Sequence, residues 1–337
     1  MKKPPGPRVL PPPMYAILIR AIIASSRENT AAPVGALLRD AILSYNERAV
    51  FTENRTMLSF SPIAKMDLGL PDDIAGDLKH YHNVGNRSFP HYHPELEINL
   101  VLAGKATYLL GERRYELTAN TLVWLFPGQT HILTEKSADL EMWIGLFRPV
   151  LTRLTCRTDS GRLLTQGDPD GDYCRRLAPL QTRRLTRLFE DVVAGRANLD
   201  LFNAGMAYAL QSTWDAYGHA DQAPQGTCLH PAVRKAVAAL CREDSAGVAE
   251  IARDVNLSPS RLSELFNLQI GMSMAEFRSR QRLTRFMQLY EDGTGRTLLG
   301  ASLDAGFGSY LQFYRVFRRL MGCGPAEYRR ERHGAAE

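Results

Sequence analysis

The side chains best suited to recognition chemistry lie on two short helical segments near the end of the chain. On the first segment, the positions predicted to face outward are Ser260, Arg261, Ser263 and Glu264. On the second segment, they are Tyr310, Leu311, Gln312, Tyr314 and Arg315. Hydroxyl, amide, guanidinium and carboxylate groups can hydrogen-bond to base edges in the major groove of DNA. Their placement therefore predicts two helices that contact DNA bases.

Both segments belong to a pattern that occurs twice. The stretch from Phe266 to Phe277 repeats from Phe317 to Tyr328, with Gly, Ala and Glu at matching positions. Each copy follows a predicted helix, a tight turn and a second helix. Tandem units of this kind are typical of helix-turn-helix domains, in which the second helix enters the major groove.

Local signals define the turn of the first unit. The apolar face of its first helix is formed by Val248, Ile251, Ala252 and Val255. Asn256 tolerates the left-handed conformation that would end this helix. Ser258 is suited to cap the second helix and Pro259 to start it. The core-facing residues of the second helix are Leu262, Leu265 and Phe266.

The second unit has the same plan, and a long helix is predicted to join the two. Its turn lies at Gly306 and Phe307, and Phe313, Val316 and Phe317 are expected to face the core. The segment from Met274 to Tyr290 carries apolar residues at the spacing of an amphipathic helix. A stiff connection would fix the distance between the two recognition helices, the second helices of the two units. These must lie about 34 Å apart to reach successive major grooves.

Basic residues are concentrated in the same region. The chain has a net charge of +5, and six arginines lie between Arg315 and Arg332, including Arg318. Such a cluster would attract the phosphate backbone of DNA. A solvated helix face would account for the composition equally well.

From about Ala232 to Arg330 the chain resembles the DNA-binding domain of the AraC/XylS family of bacterial transcription regulators. The matching stretches include Leu-Ser-Pro-Ser at 257–260, Gly306-Phe307 and Gly-Pro-Ala-Glu-Tyr-Arg at 324–329. The resemblance implies base contacts from the outward residues of both second helices, a homodimer, and contact with RNA polymerase. Glu264 departs from the pattern where the family often has Arg. It could accept from cytosine N4 but would repel phosphate.

A second type of pattern, with an apolar period of two, runs from about Leu78 to Phe147 and predicts a small barrel of short strands. The run His91-Tyr-His93-Pro-Glu-Leu-Glu97 and the later Pro-Gly-Gln-Thr-His131 resemble the two motifs of the cupin family. The resemblance implies a divalent transition metal held by His91, His93, Glu97 and His131. A metal-free effector pocket lined by these residues, and purely structural histidines, are the alternatives. Two residues apart on a strand, His91 and His93 would face the same side.

Two aromatic residues are added to the candidate effector pocket. Trp124 and Phe126 share one face of a predicted strand, and small-molecule sites are largely apolar with a few placed polar groups. His80 and His82 form another closely spaced pair, but their surroundings are typical of a loop and no role is assigned to them.

The whole chain is predicted to be an α+β multidomain protein. The expected parts are a disordered arm (1–13), an N-terminal helical segment (14–77), a cupin-like sensor barrel (78–150), a helical extension that could serve dimerisation (151–217), a linker (218–229) and a tandem helix-turn-helix domain (230–332). No apolar run approaches the roughly 20 residues that span a bilayer. The five dispersed cysteines indicate reduced thiols in a cytoplasmic protein.

These features together predict a sequence-specific transcription regulator that binds double-stranded DNA and is controlled by a small-molecule effector in the barrel. It is not expected to be an enzyme. The alternatives are a metal-dependent cupin enzyme fused to a DNA-binding domain, and a nucleoid-type DNA binder without an effector.

Overall fold

The computed structural model describes residues 64–83, 89–222, 226–242, 247–291 and 296–333. The expected disordered arm and residues 14–63 of the expected helical segment lie outside these ranges. The predicted combination of an N-terminal sheet-rich domain and a C-terminal helical domain is confirmed.

Two sheets form the N-terminal domain. Sheet A contains, in spatial order, β1 (Ala64–Lys65), β3 (His91–Tyr92), β8 (His131–Thr134), β5 (Lys105–Leu110), β6 (Arg113–Thr118) and β12 (Thr227–Cys228). Sheet B contains β11 (Asp221–Gln222), β10 (Cys174–Arg176), β7 (Thr121–Leu125), β4 (Leu96–Ala103), β9 (Glu141–Phe147) and β2 (Gly76–His82). Neighbouring strands are antiparallel, except that β1 runs parallel to β3. The short strands predicted from about Leu78 to Phe147 are confirmed, since β3 to β9 all lie within that stretch.

Alternation along the strands separates two apolar layers. Val101, Leu117 and Leu125 lie between the sheets, in the interior of the barrel. Residues of opposite parity on sheet B, such as Trp143 and Phe147, pack against helices. These helices are α1 (Pro149–Thr155), α2 (Asp159–Arg162), α3 (Pro179–Ala194) and α4 (Leu199–Gly218), with a short 3-10 turn at Leu163–Thr165.

The structure changes two of the predicted boundaries. Residues 64–65 and 76–82 are strands, so the barrel begins before residue 78 and the helical segment does not extend to 77. The predicted linker at 218–229 contains two short strands, β11 and β12, which pair with β10 and β6. Both differences arise from pairing with distant strands, which local sequence patterns do not reveal.

The C-terminal domain is entirely helical in the described residues. Its helices are α5 (Pro231–Cys241), α6 (Val248–Asp254), α7 (Pro259–Ile270), α8 (Met274–Glu291), α9 (Leu298–Asp304), α10 (Tyr310–Met321) and α11 (Pro325–His333). The amphipathic helix predicted from Met274 to Tyr290 is confirmed as α8. At about 1.5 Å per residue, this 18-residue helix is roughly 27 Å long. Within the described ranges, no helix is both long and apolar enough to cross a membrane.

The outer face of sheet A is covered by the first helix-turn-helix unit. Leu109 and Ile132 are buried there in the same apolar cluster as Val237, Ile270 and Phe277. Arg234 of α5 also forms an ion pair with Glu112, in the turn between β5 and β6. The two domains therefore share a continuous apolar core at this face.

Candidate functional site

The start and the orientation of the first recognition helix, α7, are determined by the residues that the sequence analysis identified. Asn256 has a φ of 56°, the left-handed conformation expected for the turn. The Ser258 hydroxyl accepts a hydrogen bond from the Arg261 amide at 3.2 Å, which caps the helix. Leu262 and Phe266 are fully buried, so the helix is held by one face and presents the other.

The second recognition helix, α10, repeats this geometry. The Ser309 hydroxyl accepts from the Gln312 amide at 3.2 Å, and Gly306 in the turn has a φ of 88°. Both recognition helices end on a left-handed glycine, Gly271 with φ 76° and Gly322 with φ 78°. Identical caps at both ends mean that the repeat in the sequence is a repeat in structure.

The predicted contact residues lie on the outside of these helices. All are exposed except Tyr314, which is half-buried: Ser260, Arg261, Ser263, Glu264, Tyr310, Leu311, Gln312, Arg315 and Arg318. The Gln312 side-chain oxygen accepts from the Gly308 amide at 2.9 Å. Its amide group therefore remains available as a donor.

The two recognition helices differ in charge. In α7, the guanidinium of Arg261 lies 3.4 Å from the carboxylate of Glu264, one turn along the helix. This pairing offsets part of the positive charge that the helix offers to phosphate. In α10, Arg315 and Arg318 are exposed on the helix surface. The second reader is consequently the more strongly basic of the two.

An ion-pair bridge between α8 and α10 was not predicted from the sequence. Arg280 is 2% exposed, and its Nε donates to Glu276 Oε1 at 3.0 Å. The other oxygen of Glu276 lies 2.9 Å from Arg319 of the second recognition helix. The bridge therefore fixes α10 on the helix that joins the units. The spacing of Glu276 and Arg280 signals an intrahelical pair, but nothing local points to Arg319.

Inside the barrel, the structure brings together the four residues of the predicted metal site. His91 of β3 lies directly opposite His131 of β8, with ring centroids 4.3 Å apart. His93 Nε2 donates to Glu97 Oε2 at 2.9 Å, and that oxygen is 3.8 Å from His131 Nε2. Asn99 and Tyr108 complete the cluster, since Asn99 donates to Glu97 Oε1 at 2.7 Å and lies 3.3 Å from the Tyr108 hydroxyl.

Burial and mutual charge set the protonation of this cluster. Burial alone would lower the pKa of His93, but the carboxylates of Glu95 and Glu97 outweigh it and raise that pKa to about 9. Burial would raise the pKa of Glu97, yet His93 and His131 outweigh it and lower that pKa to about 2. Burial, followed by the charge of His91, lowers the pKa of His131 to about 3. The metal-free cluster thus holds a His93 cation and a Glu97 anion beside neutral His131.

The donor set fits a transition metal. The Nδ1 groups of His91 and His131 donate to the carbonyl oxygens of Phe89 and Gln129, at 2.7 and 2.9 Å. Such bonds fix the tautomer that leaves Nε2 free to bind a metal. In the described structure, His131 Nε2 is buried without a hydrogen-bond partner. One ligand atom from each of His91, His93 and His131 falls within 4.8 Å of the others.

Trp124 and Phe126 are not part of this cluster. Both are buried in the layer between sheet B and the helices, where Trp124 packs edge-to-face on Trp214 and Phe126 on Tyr173. The two rings share one side, as expected, but it is the outer side of the sheet. The expectation that they line one pocket with the histidines is therefore corrected. Asn99 was missed, although its spacing of two from Glu97 places it on the same strand face.

Comparisons with known proteins match both domains. A family model described as "AraC-like ligand binding domain" matches residues 74–210, and one described as "Helix-turn-helix domain" matches residues 251–331. The arabinose operon regulatory protein of Escherichia coli K12 is 33% identical over 108 residues, which cover 30% of this chain and 37% of that protein. The chain thus matches little more than a third of that relative's length.

A longer match is more distant. The melibiose operon regulatory protein of Escherichia coli K12 is 19% identical over 257 residues, covering 71% of this chain and 83% of that protein. Among solved structures, ToxT from Vibrio cholerae is 14% identical with a TM-score of 0.30, covering 75% of this chain and 97% of that one. The two family models together match most of the described residues, so the chain consists of an AraC-like ligand-binding domain followed by a helix-turn-helix domain.

Proposed function

We propose that this protein is a sequence-specific transcription regulator whose barrel binds a small-molecule effector. The observation that carries the proposal is the pair of recognition helices with matching caps and exposed polar faces. Because its target would be chromosomal DNA, its proposed place of action is the cytoplasm.

Each recognition helix offers a different kind of contact. In α7, Ser260, Ser263 and Glu264 supply hydroxyl and carboxylate groups for base edges. In α10, Gln312 and Arg315 can donate to purine edges, and the exposed Leu311 suits the methyl group of thymine. Arg318 supplies positive charge for the backbone. The bridge through Glu276 would hold the two helices at one spacing, as the reading of two successive grooves requires.

The barrel cluster is the proposed effector site. A divalent transition metal held by His91, His93, Glu97 and His131 would supply a Lewis acid for an oxygen-bearing effector. His91 and His131 would keep their Nδ1 anchors to the backbone and present Nε2. Binding would displace the proton that His93 shares with Glu97, so metal affinity should increase with pH.

Strand β8 connects the barrel cluster to the first helix-turn-helix unit. In β8, the His131 side chain lies inside the barrel, whereas the next residue, Ile132, lies on the outer face in the core of the first helix-turn-helix unit. A ligand that shifts β8 would therefore move a residue packed on the reader. Any such ligand must bind two arrangements with different affinity in order to act as a switch.

The helical hairpin of α3 and α4 is the proposed surface for a homodimer. Four large apolar residues are exposed on it: Leu180, Leu199, Leu201 and Tyr208. A second copy that covered these side chains would remove their apolar area from water. A second copy of this chain would present the same surface, as a two-fold interface requires.

Selection of bound DNA from a random library, with the purified full-length chain at physiological salt, tests the function. A motif with two elements one helical turn apart is the expected result, and two copies of that motif would support the dimer. Recovery of DNA without any shared motif would contradict the proposal and favour a nucleoid-type binder.

Replacing Glu264 by arginine is expected to strengthen DNA binding and alter base preference. The change removes a carboxylate that repels phosphate and also frees Arg261 from its ion pair. Each additional phosphate contact also steepens the salt dependence of binding. Gel-shift titration at several salt concentrations, with the selected motif and a scrambled sequence, measures both effects. Unchanged affinity and preference would show that Glu264 does not face DNA.

Replacing Gly271 by alanine is expected to destabilise the protein more than replacing Gly322. Both glycines end a recognition helix in the left-handed conformation, which costs a non-glycine residue about 1–2 kcal/mol. A Cβ at Gly271 would also overlap the Glu135 side chain of the barrel, with Cδ only 2.6 Å away. A Cβ at Gly322 would meet nothing within 4 Å.

Thermal unfolding of the two variants compares these costs, because Gly322→Ala carries the backbone strain alone. The Glu135 carboxylate is held by Arg114 at 2.7 Å and by Thr107 at 2.8 Å, so it cannot move aside without losing both bonds. Shortening it in the double variant Gly271→Ala/Glu135→Ala should recover part of the excess loss. Equal destabilisation by the two single variants would contradict the domain contact.

A further inference from the structure

A second group of histidines lies on the outer surface of sheet B, away from the barrel interior. His80 and His82 belong to β2, not to a loop, and both side chains are exposed. Because they are two residues apart on a strand, they project from the same face. This is the face of Leu78, which packs under the helices. The pair is thus separated from His91 and His131 by the sheet itself.

A carboxylate from the neighbouring strand completes the group. In the pairing of β2 with β9, His82 lies opposite Glu141 and His80 lies opposite Trp143. Glu141 Oε1 is 2.8 Å from His80 Nε2, and the two imidazole centroids are 4.4 Å apart. One ligand atom from each of the three residues lies within 4.8 Å of the others. The three side chains therefore converge on one point above the sheet.

The backbone and a buried ring hold this arrangement in place. Seven residue pairs join β2 to β9, which fixes the three Cα positions. The His80 ring stacks on Trp143, with centroids 4.8 Å apart and an interplanar angle of 13°. Trp143 is only 4% exposed and packs in turn on Phe189 of α3. Because these contacts already restrict the side chains, a ligand would bind with a smaller loss of conformational entropy.

The donor set selects a class of ligand. Two imidazole nitrogens and one carboxylate oxygen suit Zn²⁺ and Cu²⁺, whereas Ca²⁺ and Mg²⁺ prefer sets made only of oxygen. Tetrahedral Zn²⁺ with bonds of about 2.1 Å separates its ligand atoms by roughly 3.4 Å. Small rotations of the two exposed imidazoles and the half-buried carboxylate would reach this geometry. The exposure of the site leaves the fourth position to water.

We propose that His80, His82 and Glu141 form a surface binding site for a divalent transition metal. The site is independent of the proposed DNA-binding function and of the barrel cluster. An ion at this position would cross-link the edge strand β2 to β9 and stabilise that margin of the sheet.

Zinc binding by the full-length chain tests the proposal. Equilibrium dialysis against Zn²⁺, followed by elemental analysis, would compare the wild type with two double variants. His80→Asn/His82→Asn is expected to lose one equivalent of zinc, and His91→Asn/His131→Asn is expected to retain that equivalent. Equal zinc content in the wild type and His80→Asn/His82→Asn would overturn the proposal. Circular dichroism confirms that the exposed changes leave the fold intact.

Tryptophan fluorescence locates the ion independently. In the His91→Asn/His131→Asn background, Cu²⁺ bound at His80 would quench Trp143, which touches that ring. The quenching is expected to disappear on adding His80→Asn/His82→Asn, and to require about tenfold more Cu²⁺ on adding Glu141→Gln. Trp143→Phe should remove the quenching without removing the bound copper. Quenching that persists without His80 and His82 would place the copper elsewhere and contradict the site.

Discussion

Replacing Arg315 by alanine is expected to abolish most of the specific DNA binding while the fold stays intact. Arg315 is exposed on the outer face of α10, one turn after Leu311 and Gln312. Loss of an arginine that bonds a base edge costs about 1–3 kcal/mol, which is roughly 5- to 150-fold in affinity. Gel-shift titration at fixed salt with the selected motif measures the effect.

The salt dependence of the same titration distinguishes two roles for Arg315. If the guanidinium contacts a base, alanine should relax the sequence preference and leave the salt slope nearly unchanged. If it contacts a phosphate, affinity for all sequences should fall together and the slope should decrease by about one. Arg184→Ala, which removes an exposed arginine from α3, is the matched control for net charge. Equal binding by the wild type and Arg315→Ala would contradict the assignment of α10 as a reader.

The helix-turn-helix units were predictable because their determinants are local. Asn256, Ser258 and Gly271 act within one turn of their own backbone, and each adopts the conformation that its residue type favours. Apolar spacing was enough to show which sides of α7 and α10 are buried. Because the pattern repeats, the same helix-turn-helix assignment could be made for the second unit. The matching caps of the two recognition helices confirm it.

Features that depend on distant partners were not predictable in this way. In β2, the sequence around Leu78 and His80 has only a short apolar alternation, and the strand exists because β9 pairs with it. Leu109 and Ile132 have the period of strand residues, which says nothing of the helical domain on their outer face. The bridge from Glu276 to Arg319 likewise joins helices that are remote in sequence.

The barrel cluster falls between these cases. His91, His93, Glu97 and His131 were identified through resemblance to cupin motifs, and the structure places them together. The same strand alternation that correctly sends Glu97 inward sends Trp124 outward. Parity along β7 follows from its pairing with β4, where Trp124 lies opposite Ile98 rather than Glu97. Register, more than composition, therefore decides which aromatic residues can meet a ligand.

The electrostatics of the cluster have consequences for stability in metal-free protein. The pKa of His131 is about 3 when folded, below the ordinary histidine value of 6.5. Its contribution is present above pH 6.5 and is lost as the pH falls from 6.5 towards 3, because the unfolded chain takes up the proton first. Burial lowers the pKa of His91 in the same direction. The contribution of His93 is lost only as pH rises from 6.5 through 9, and that of Glu97 only as pH falls from 4.5 through 2.

The window from pH 6.5 to 4.5 therefore isolates His131 and His91 within this cluster, because Glu97, His93 and Tyr108 each bind nearly the same number of protons in the folded and unfolded chain there, so their contributions hardly change with pH. The slope of the free energy of unfolding should approach about 1.4 kcal/mol per pH unit from His131 alone, which amounts to roughly 2 kcal/mol across the window. Urea titrations with chelator present, followed by tryptophan fluorescence, measure this slope in the domain that contains Trp124, Trp143 and Trp214.

His131→Asn is expected to flatten that slope, because asparagine binds no proton in either state. His219→Asn, which changes an exposed histidine just after α4, is the matched control and should keep the wild-type slope. If His131→Asn and the wild type lose stability equally between pH 6.5 and 4.5, then His131 is not held neutral by burial beside His91. In that event the histidines would be solvated, and the cluster could not act as the preorganised ligand site that the barrel is proposed to provide.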